Sequence, residues 1–198
     1  MLEARTGATP QNVAEETKQT GVPRFEIGEV SEYEYFSPEQ TDRMLTQLHY
    51  GASKKLVDAI YIHKNRKQAV GVLKVTGEMC EGHFDSGPVM RGVDQMEAGG
   101  QVLLLLKNLS GELPEGMSPR LTEMSNVRFI GAAIPGMTLN IAVLANPEAP
   151  IGGLVRITNG TNEISEGELR GVTIKQRISD RLLEMARRGI QEPTFPIH

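Results

Sequence analysis

The sequence predicts an α+β domain in which several antiparallel strands enclose one buried helix, with a helical lead-in before them. Three observations carry that prediction. The run 93–108 has helical length, and its C-terminal half is apolar all the way round, so protein must surround it rather than cover one face. Strand-like runs bounded by turn residues recur on both sides of it, at 56–62, 69–75, 127–130, 137–145, 153–158 and 168–178. Gly99 and Gly100 stand mid-helix, where each costs about 1 kcal/mol against alanine. Close approach of another backbone would offset that cost, so the sheet is expected to wrap tightly around the helix.

Along the chain, residues 1–23 are polar, rich in Thr, Gln and Glu, and read as a flexible arm. Phe25 to Val30 alternates apolar and polar residues, as a short strand or extended segment does. Ser37-Pro38-Glu39-Gln40 combines an N-cap hydroxyl, a proline at the first helical position and a capping-box glutamine. Met44, Leu45 and Leu48 share one face of the helix that follows, which is expected to end near Gly51. A charged turn, His63 to Lys67, separates the first two strands, and a loop over 111–119 follows the buried helix. Asn159-Gly160 marks a hairpin. Ser179 or Asp180 caps a short terminal helix that contains Leu182, Leu183 and Met185 and stops at Gly189. The expected organisation is an arm at 1–23, one domain over 24–178, and a helix and tail over 179–198.

With 198 residues, 39% apolar and 23% charged, the chain has the composition of an ordinary globular domain. A net charge of −4 gives no global field for nucleic acid. Lys175, Arg177, Arg181, Arg187 and Arg188 cluster near the C-terminus; such a cluster is ordinarily a solvated face, with partner docking the sharper alternative. The single cysteine, Cys80, excludes an internal disulfide and fits a reducing compartment. It reads better as a small packing residue than as a nucleophile beside His83. No cationic leader opens the chain, and no apolar run approaches the ~18 residues of a membrane span. A cytoplasmic protein binding neither nucleic acid nor membrane is expected.

The segment richest in chemistry runs from Gly82 to Glu97. His83 lies in a loop punctuated by Gly87 and Pro88, and Glu97 follows fourteen residues later, inside the apolar helix. An imidazole and a buried carboxyl that meet in one apolar pocket can take a proton beside a carbonyl and protonate a leaving hydroxyl. A lone loop histidine is more often structural; the match of its spacing to Glu97 and Gln101 with the family resembled below reverses that reading. His49, His63 and His198 gain no such support, and their spacing offers no metal site.

The run His83 to Gln101 resembles the active-site segment of the hotdog-fold β-hydroxyacyl-acyl carrier protein dehydratases. That segment reads His-Phe-Pro-Gly-x-Pro-Val-Met-Pro-Gly-Val, then an acidic residue on the helix and a glutamine one turn later. His83, Phe84, Pro88, Val89, Met90, Gly92, Val93, Glu97, Ala98 and Gln101 stand at matching spacing. Glutamate at 97 points to the branch without strong double-bond isomerisation. Leu56-Val57-Asp58 resembles the family's early strand, and Ile134-Pro135-Gly136-Met137-Thr138-Leu139 its later turn and strand; the likeness spans roughly 40–178.

The resemblance implies a hotdog fold, an antiparallel sheet around a long central helix with terminal extensions. It also implies reversible dehydration of a (3R)-3-hydroxyacyl thioester on an acyl carrier protein to the trans-2-enoyl thioester, in fatty acid or related acyl or polyketide biosynthesis. His83 would take the α-proton, and Glu97, protonated in an apolar setting, would protonate the departing 3-hydroxyl. Gln101, on the same helix face, would orient Glu97. The Gly92 N–H at the helix start would stabilise the enolate-like oxygen, and the Val89 carbonyl would fix the imidazole tautomer. Met90, Arg91, Met96 and Phe129, with Leu103, are candidate substrate contacts, although ordinary core packing accounts better for the apolar ones. No metal or organic cofactor is implied; phosphopantetheine of the carrier protein brings the substrate. The histidine and the acid usually face each other across a dimer interface in this fold, which implies a homodimer, open to higher assembly.

Two departures stand out. Asp85 and Ser86 replace the family's Pro-Gly, and Arg91 replaces a proline. Asp85 adds a carboxylate near the imidazole. Arg91 puts a cation at a helix N-terminus, against the dipole, and calls for an anion nearby: a substrate group, the phosphopantetheine phosphate, Asp85 or Asp94. These changes bear on the substrate more than on the reaction. A hotdog thioesterase, which would release free thiol without needing His83, is one rival reading. A non-catalytic acyl-binding protein, with no histidine-dependent turnover, is the other.

Overall fold

The computed structural model describes residues 25–84 and 87–189, with only the backbone at 179, 182–183 and 186–189. The expected arm at 1–23, the departures Asp85 and Ser86, and the tail past 189 lie outside the described residues, as do the side chains of Arg187 and Arg188. Among the described residues three α-helices are formed, α1 (Pro38–Gln47), α2 (Gly92–Leu109) and α3 (Gln176–Gly189). Seven strands accompany them: β1 (Tyr33–Phe36), β2 (Ala59–His63), β3 (Gln68–Lys74), β4 (Met117–Phe129), β5 (Thr138–Ala145), β6 (Ile151–Asn159) and β7 (Asn162–Lys175). They make one sheet, ordered β1-β2-β3-β5-β6-β7-β4, with every neighbouring pair antiparallel.

The apolar helix is enclosed as its composition requires. Val102 to Leu106 of α2 are all buried, against Leu73 of β3, Leu139, Ile141 and Val143 of β5, and Val155 and Ile157 of β6. The inward residues of β3 alternate (Ala69, Gly71, Leu73) as a half-buried strand demands. Each buried aliphatic side chain of this kind contributes about 1.5–3 kcal/mol, so the sandwich of α2 and sheet is the main source of stability.

Tight wrapping is real at two of the glycines. A Cβ at Gly99 would stand 2.7 Å from Cγ1 of Val155, and one at Gly71 would collide with the Val102 side chain. Gly100 differs: a Cβ there would meet only Leu169, at 3.9 Å, so close approach does not explain it.

Local signals translate directly at α1. Ser37 Oγ accepts from the Gln40 N–H at 3.4 Å, and Gln40 Oε1 accepts from the Ser37 N–H at 2.8 Å. Its C-terminus is not set by Gly51. The helix stops at Gln47, and His49 adopts the left-handed conformation (φ 66°). The His49 N–H then donates to Thr46 O (2.9 Å) and the Tyr50 N–H to Leu45 O (3.0 Å), the bond pair of a Schellman end with histidine in the usual glycine position.

Other boundaries move for physical reasons. Residues 25–29 form no regular structure, and the first strand is β1, four residues paired to β2. β4 begins ten residues earlier than its apolar signal at 127–130, because an edge strand needs little apolar content and tolerates Pro119 and two register shifts. Asn159 and Asn162 pair across Gly160-Thr161, so β7 also starts early. β7 ends at Lys175, and α3 begins at Gln176 rather than at a cap on Ser179 or Asp180. Among the described residues no helix is long and apolar enough to cross a membrane.

Gly99→Leu should lower stability by about 1–3 kcal/mol despite its better helix propensity, since overpacking against β6 outweighs that gain. In urea denaturation the midpoint should fall with the slope unchanged.

Candidate active site

The N-terminal turns of α2 meet two connections there: the 76–91 loop that precedes it, and the link from α1 to β2. Gly82 takes a left-handed conformation (φ 71°) that a side chain would strain, and turns the chain into His83. The half-buried His83 ring has Nδ1 2.9 Å from the Val89 carbonyl oxygen. A carbonyl only accepts, so Nδ1 carries the hydrogen and a neutral ring keeps the Nε2 lone pair free. Phe84 lies against the imidazole, ring centroids 4.1 Å apart. Beyond Val89 the loop is pinned by the Met90 N–H, which donates to Ala133 O at 2.8 Å.

Glu97 sits one turn and a half into α2, half-buried. It lines two cavities, of about 510 Å³ and 610 Å³, that also share His49 and Tyr50. Gln101 Nε2 donates to Glu97 Oε1 at 3.5 Å. Burial first, then the neighbouring Glu97, push the Tyr50 phenol well above its ordinary range, against the opposing pull of Arg120. Leu103 and Leu104 line the first cavity together with Ser118, Arg120 and Asp180. The surroundings of Glu97 are thus more polar than the aliphatic pocket expected.

Gln101 is fully buried and satisfied on both sides of its amide. Its Nε2 donates to Lys54 O at 2.6 Å, and its Oε1 accepts the Leu56 N–H at 2.9 Å. Its strongest bonds therefore hold the α1–β2 connection against α2; the contact with Glu97 is the weaker one.

The remaining candidates divide. Gly92 opens α2, and a side chain there would collide with the ring of Phe129 at the end of β4. Its helix has no side-chain cap, and first-turn N–H groups have no intrahelical acceptor. Arg91, at the N-cap, donates to Asp94 twice, Nε to Oδ2 at 2.7 Å and Nη2 to Oδ1 at 3.1 Å. Met90 and Met96 are fully buried in the core, away from both cavity linings. His83 is not among the residues that line either of these two cavities. His63 is structural, bonded by the Asn65 N–H and edge-on to Tyr33. Among the described residues no three His, Cys, Asp or Glu side chains gather as metal ligands would. Sequence reasoning missed Tyr50, six residues before the Leu56-Val57-Asp58 strand signal and with no motif of its own.

The curated dehydratase 3-hydroxyacyl-[acyl-carrier-protein] dehydratase FabZ of Caldicellulosiruptor bescii is 33% identical to this chain over 132 residues, covering 65% of the chain and 94% of that protein. The chain belongs to the FabZ dehydratase family. The bifunctional enzyme LpxC/FabZ of Bacteroides thetaiotaomicron is 37% identical over 87 residues, 43% of this chain but only 19% of that larger enzyme. No family model matches the chain. Among solved structures, the fluoroacetyl-CoA thioesterase FlK superposes with a TM-score of 0.53 at 13% identity, over 60% of this chain and 93% of its own. A hot-dog-like protein from Thermanaerovibrio acidaminovorans gives 0.50 at 14%, over 60% and 89%. These neighbours establish the hotdog fold, the sheet wrapped around α2.

Two outcomes are expected of this geometry. Burial pushes the Cys80 thiol up, so at neutral pH it stays a thiol, and iodoacetamide should label it only after denaturation. Gln101→Leu should cost about 2–3 kcal/mol, because it leaves Lys54 O and the Leu56 N–H without a partner. Amide exchange at Leu56 should accelerate while β3 stays protected.

Proposed function

We propose that the chain dehydrates a 3-hydroxyacyl thioester carried on the phosphopantetheine of an acyl carrier protein, giving the 2-enoyl thioester, with His83 as base and Glu97 as acid. The observation that carries this reading is the bond from His83 Nδ1 to Val89 O, which leaves Nε2 as the proton acceptor in the family's characteristic loop. His83 Nε2 takes the C2 proton. The electron pair forms the C2–C3 double bond as the C3–O bond breaks, and Glu97 delivers a proton to the leaving oxygen, which departs as water. The negative charge that develops on the thioester oxygen is met by the Gly92 N–H and the positive end of α2. Family membership supports the reaction and the carrier-protein substrate.

A second copy completes the site in this reading. β4 is an edge strand of thirteen residues, and Phe84, Val93, Phe129 and Ile130 are exposed near the start of α2. A long open edge and apolar side chains beside it favour pairing with another chain. Such a homodimer would bring one protomer's His83 to its partner's Glu97-lined cavity.

His83→Ala and Glu97→Gln should each lower turnover of 3-hydroxybutyryl carrier-protein thioester by at least ~100-fold, with water rather than free thiol as the parent's product. Mixing the two inactive variants after co-refolding should restore part of the activity, since a mixed dimer holds one intact pair. Parental turnover in either variant, or thiol release, would sink the dehydratase reading; absence of complementation would sink the shared site.

A further inference from the structure

We propose that Gly100 sets the length of acyl chain this site accepts, by leaving open the part of a Glu97-lined cavity into which the carbons beyond C3 extend. The inference rests on the dehydratase reading and goes beyond it, since it concerns which 3-hydroxyacyl thioester is turned over.

Gly100 is a buried glycine that neither packing nor backbone conformation requires. Among the described residues the other buried glycines are Gly71, Gly99, Gly152, Gly153, Gly167 and Gly171, and at each of them a Cβ would stand 3.0 Å or less from a neighbouring atom. At Gly100 a Cβ would meet only Leu169 Cδ1, at 3.9 Å, an ordinary van der Waals contact. Its backbone is that of the α2 helix, without the left-handed conformation that favours glycine. A helix interior prefers alanine, and this position has room for the methyl group. The helix forgoes that stability, and what it keeps is empty space.

The space opens beside the candidate acid. Glu97, Gly100, Leu103 and Leu104 recur at helical spacing on one side of α2, and all four line the cavity of about 510 Å³. Of the two cavities that Glu97 borders, this one has the aliphatic wall, to which Leu48, Leu121 and Ile151 also belong; Ser118, Arg120 and Asp180 are among its polar groups. The other is lined mainly by charged and polar side chains, Lys54, Lys55, Glu78, Glu81, Arg91 and Asp94 among them. With the 3-hydroxyl at Glu97, a saturated tail finds apolar partners in one direction, past Gly100 toward Leu103 and Leu104. Position 100 lies one turn from the acid and one turn before Leu104, where that tail has to pass.

The test uses the full-length protein with 3-hydroxybutyryl and 3-hydroxydecanoyl carrier-protein thioesters. The parent should turn over the long chain at least as efficiently as the short one. Gly100→Ala adds one methyl group and should raise the melting temperature by about 2–4 °C, as a gain in helix propensity without a clash does. The preference for the long chain, read as the ratio of the two kcat/KM values, should fall about threefold in Gly100→Ala and ~10-fold or more in Gly100→Val. A readout without turnover uses decanoyl carrier protein, which lacks the 3-hydroxyl and so has no water to lose. In calorimetry the parent should bind it more tightly than butyryl carrier protein, and Gly100→Val should remove most of that difference. An unchanged chain-length ratio in both variants, or a lower melting temperature in Gly100→Ala, overturns the proposal. Absence of His83-dependent dehydration in the parent overturns the reading beneath it instead, and the decanoyl affinities alone then decide whether chain length is set at Gly100.

Discussion

Enclosure of α2 is the constraint on which the rest of the molecule depends. A helix buried over most of its length is stable only if the sheet reaches it from several directions, and Gly99 lets β6, and Gly71 of β3 lets Val102, come that close. Enclosure then imposes a strict condition on every polar side chain the helix carries, because an unpartnered buried group costs more than its bond returns. Gln95 meets it through Met90 O (3.2 Å) and Ser165 Oγ (2.8 Å). Lys107 meets it through Glu112 at 2.6 Å, and Gln101 through Lys54 and Leu56. Each of these bonds ties a different loop or strand to the helix. The polar residues of α2 thus decide where the connections lie, and two of those connections carry His83 and Tyr50.

What could be read in advance follows the same physics. The capping box at Ser37 and the buried helix are short-range or compositional signals, and both translate into structure within a residue or so. The contact of His83 with the Val89 carbonyl, which the family resemblance implied, is formed. β4 was mostly illegible because an edge strand with one solvated side has polar residues where a central strand would have apolar ones, and its bulges break the alternation. The end of α1 was misread because Gly51 is the obvious stop, while the left-handed residue is His49, which no propensity argument selects. Tyr50 was invisible for the same reason: its place on the walls of both cavities comes from the turn that carries it.

The two candidate groups also show why a single chain is an awkward unit for this site. Glu97 lines a cavity bounded by the turn after α1, by α2, β4 and α3, and by Ile151 of β6, while His83 is held by its own loop on Val89 and Phe84 and lines neither of the two cavities. The spacing of fourteen residues leaves the two groups supported separately, His83 by the Val89 carbonyl and Phe84, and Glu97 by Gln101. Holding the imidazole through a backbone carbonyl, rather than through a mobile side chain, restricts its rotamer freedom.

The departure at Arg91 finds its explanation within the chain. A cation at a helix N-terminus opposes the dipole, and the sequence offered several anions as compensation, the substrate among them. Asp94 takes that role with two hydrogen bonds to the guanidinium, and its carboxylate stands in the first turn, where negative charge is favoured. Beside Asp94 the guanidinium is held even more firmly in its charged form than an isolated arginine. The pair is close to neutral as seen from the cavity it borders, so Arg91 by itself gives no physical ground for an anionic acyl group. The same cavity is also lined by Lys54 and Lys55, and the other by Arg120, so positive charge along the two walls does not rest on Arg91.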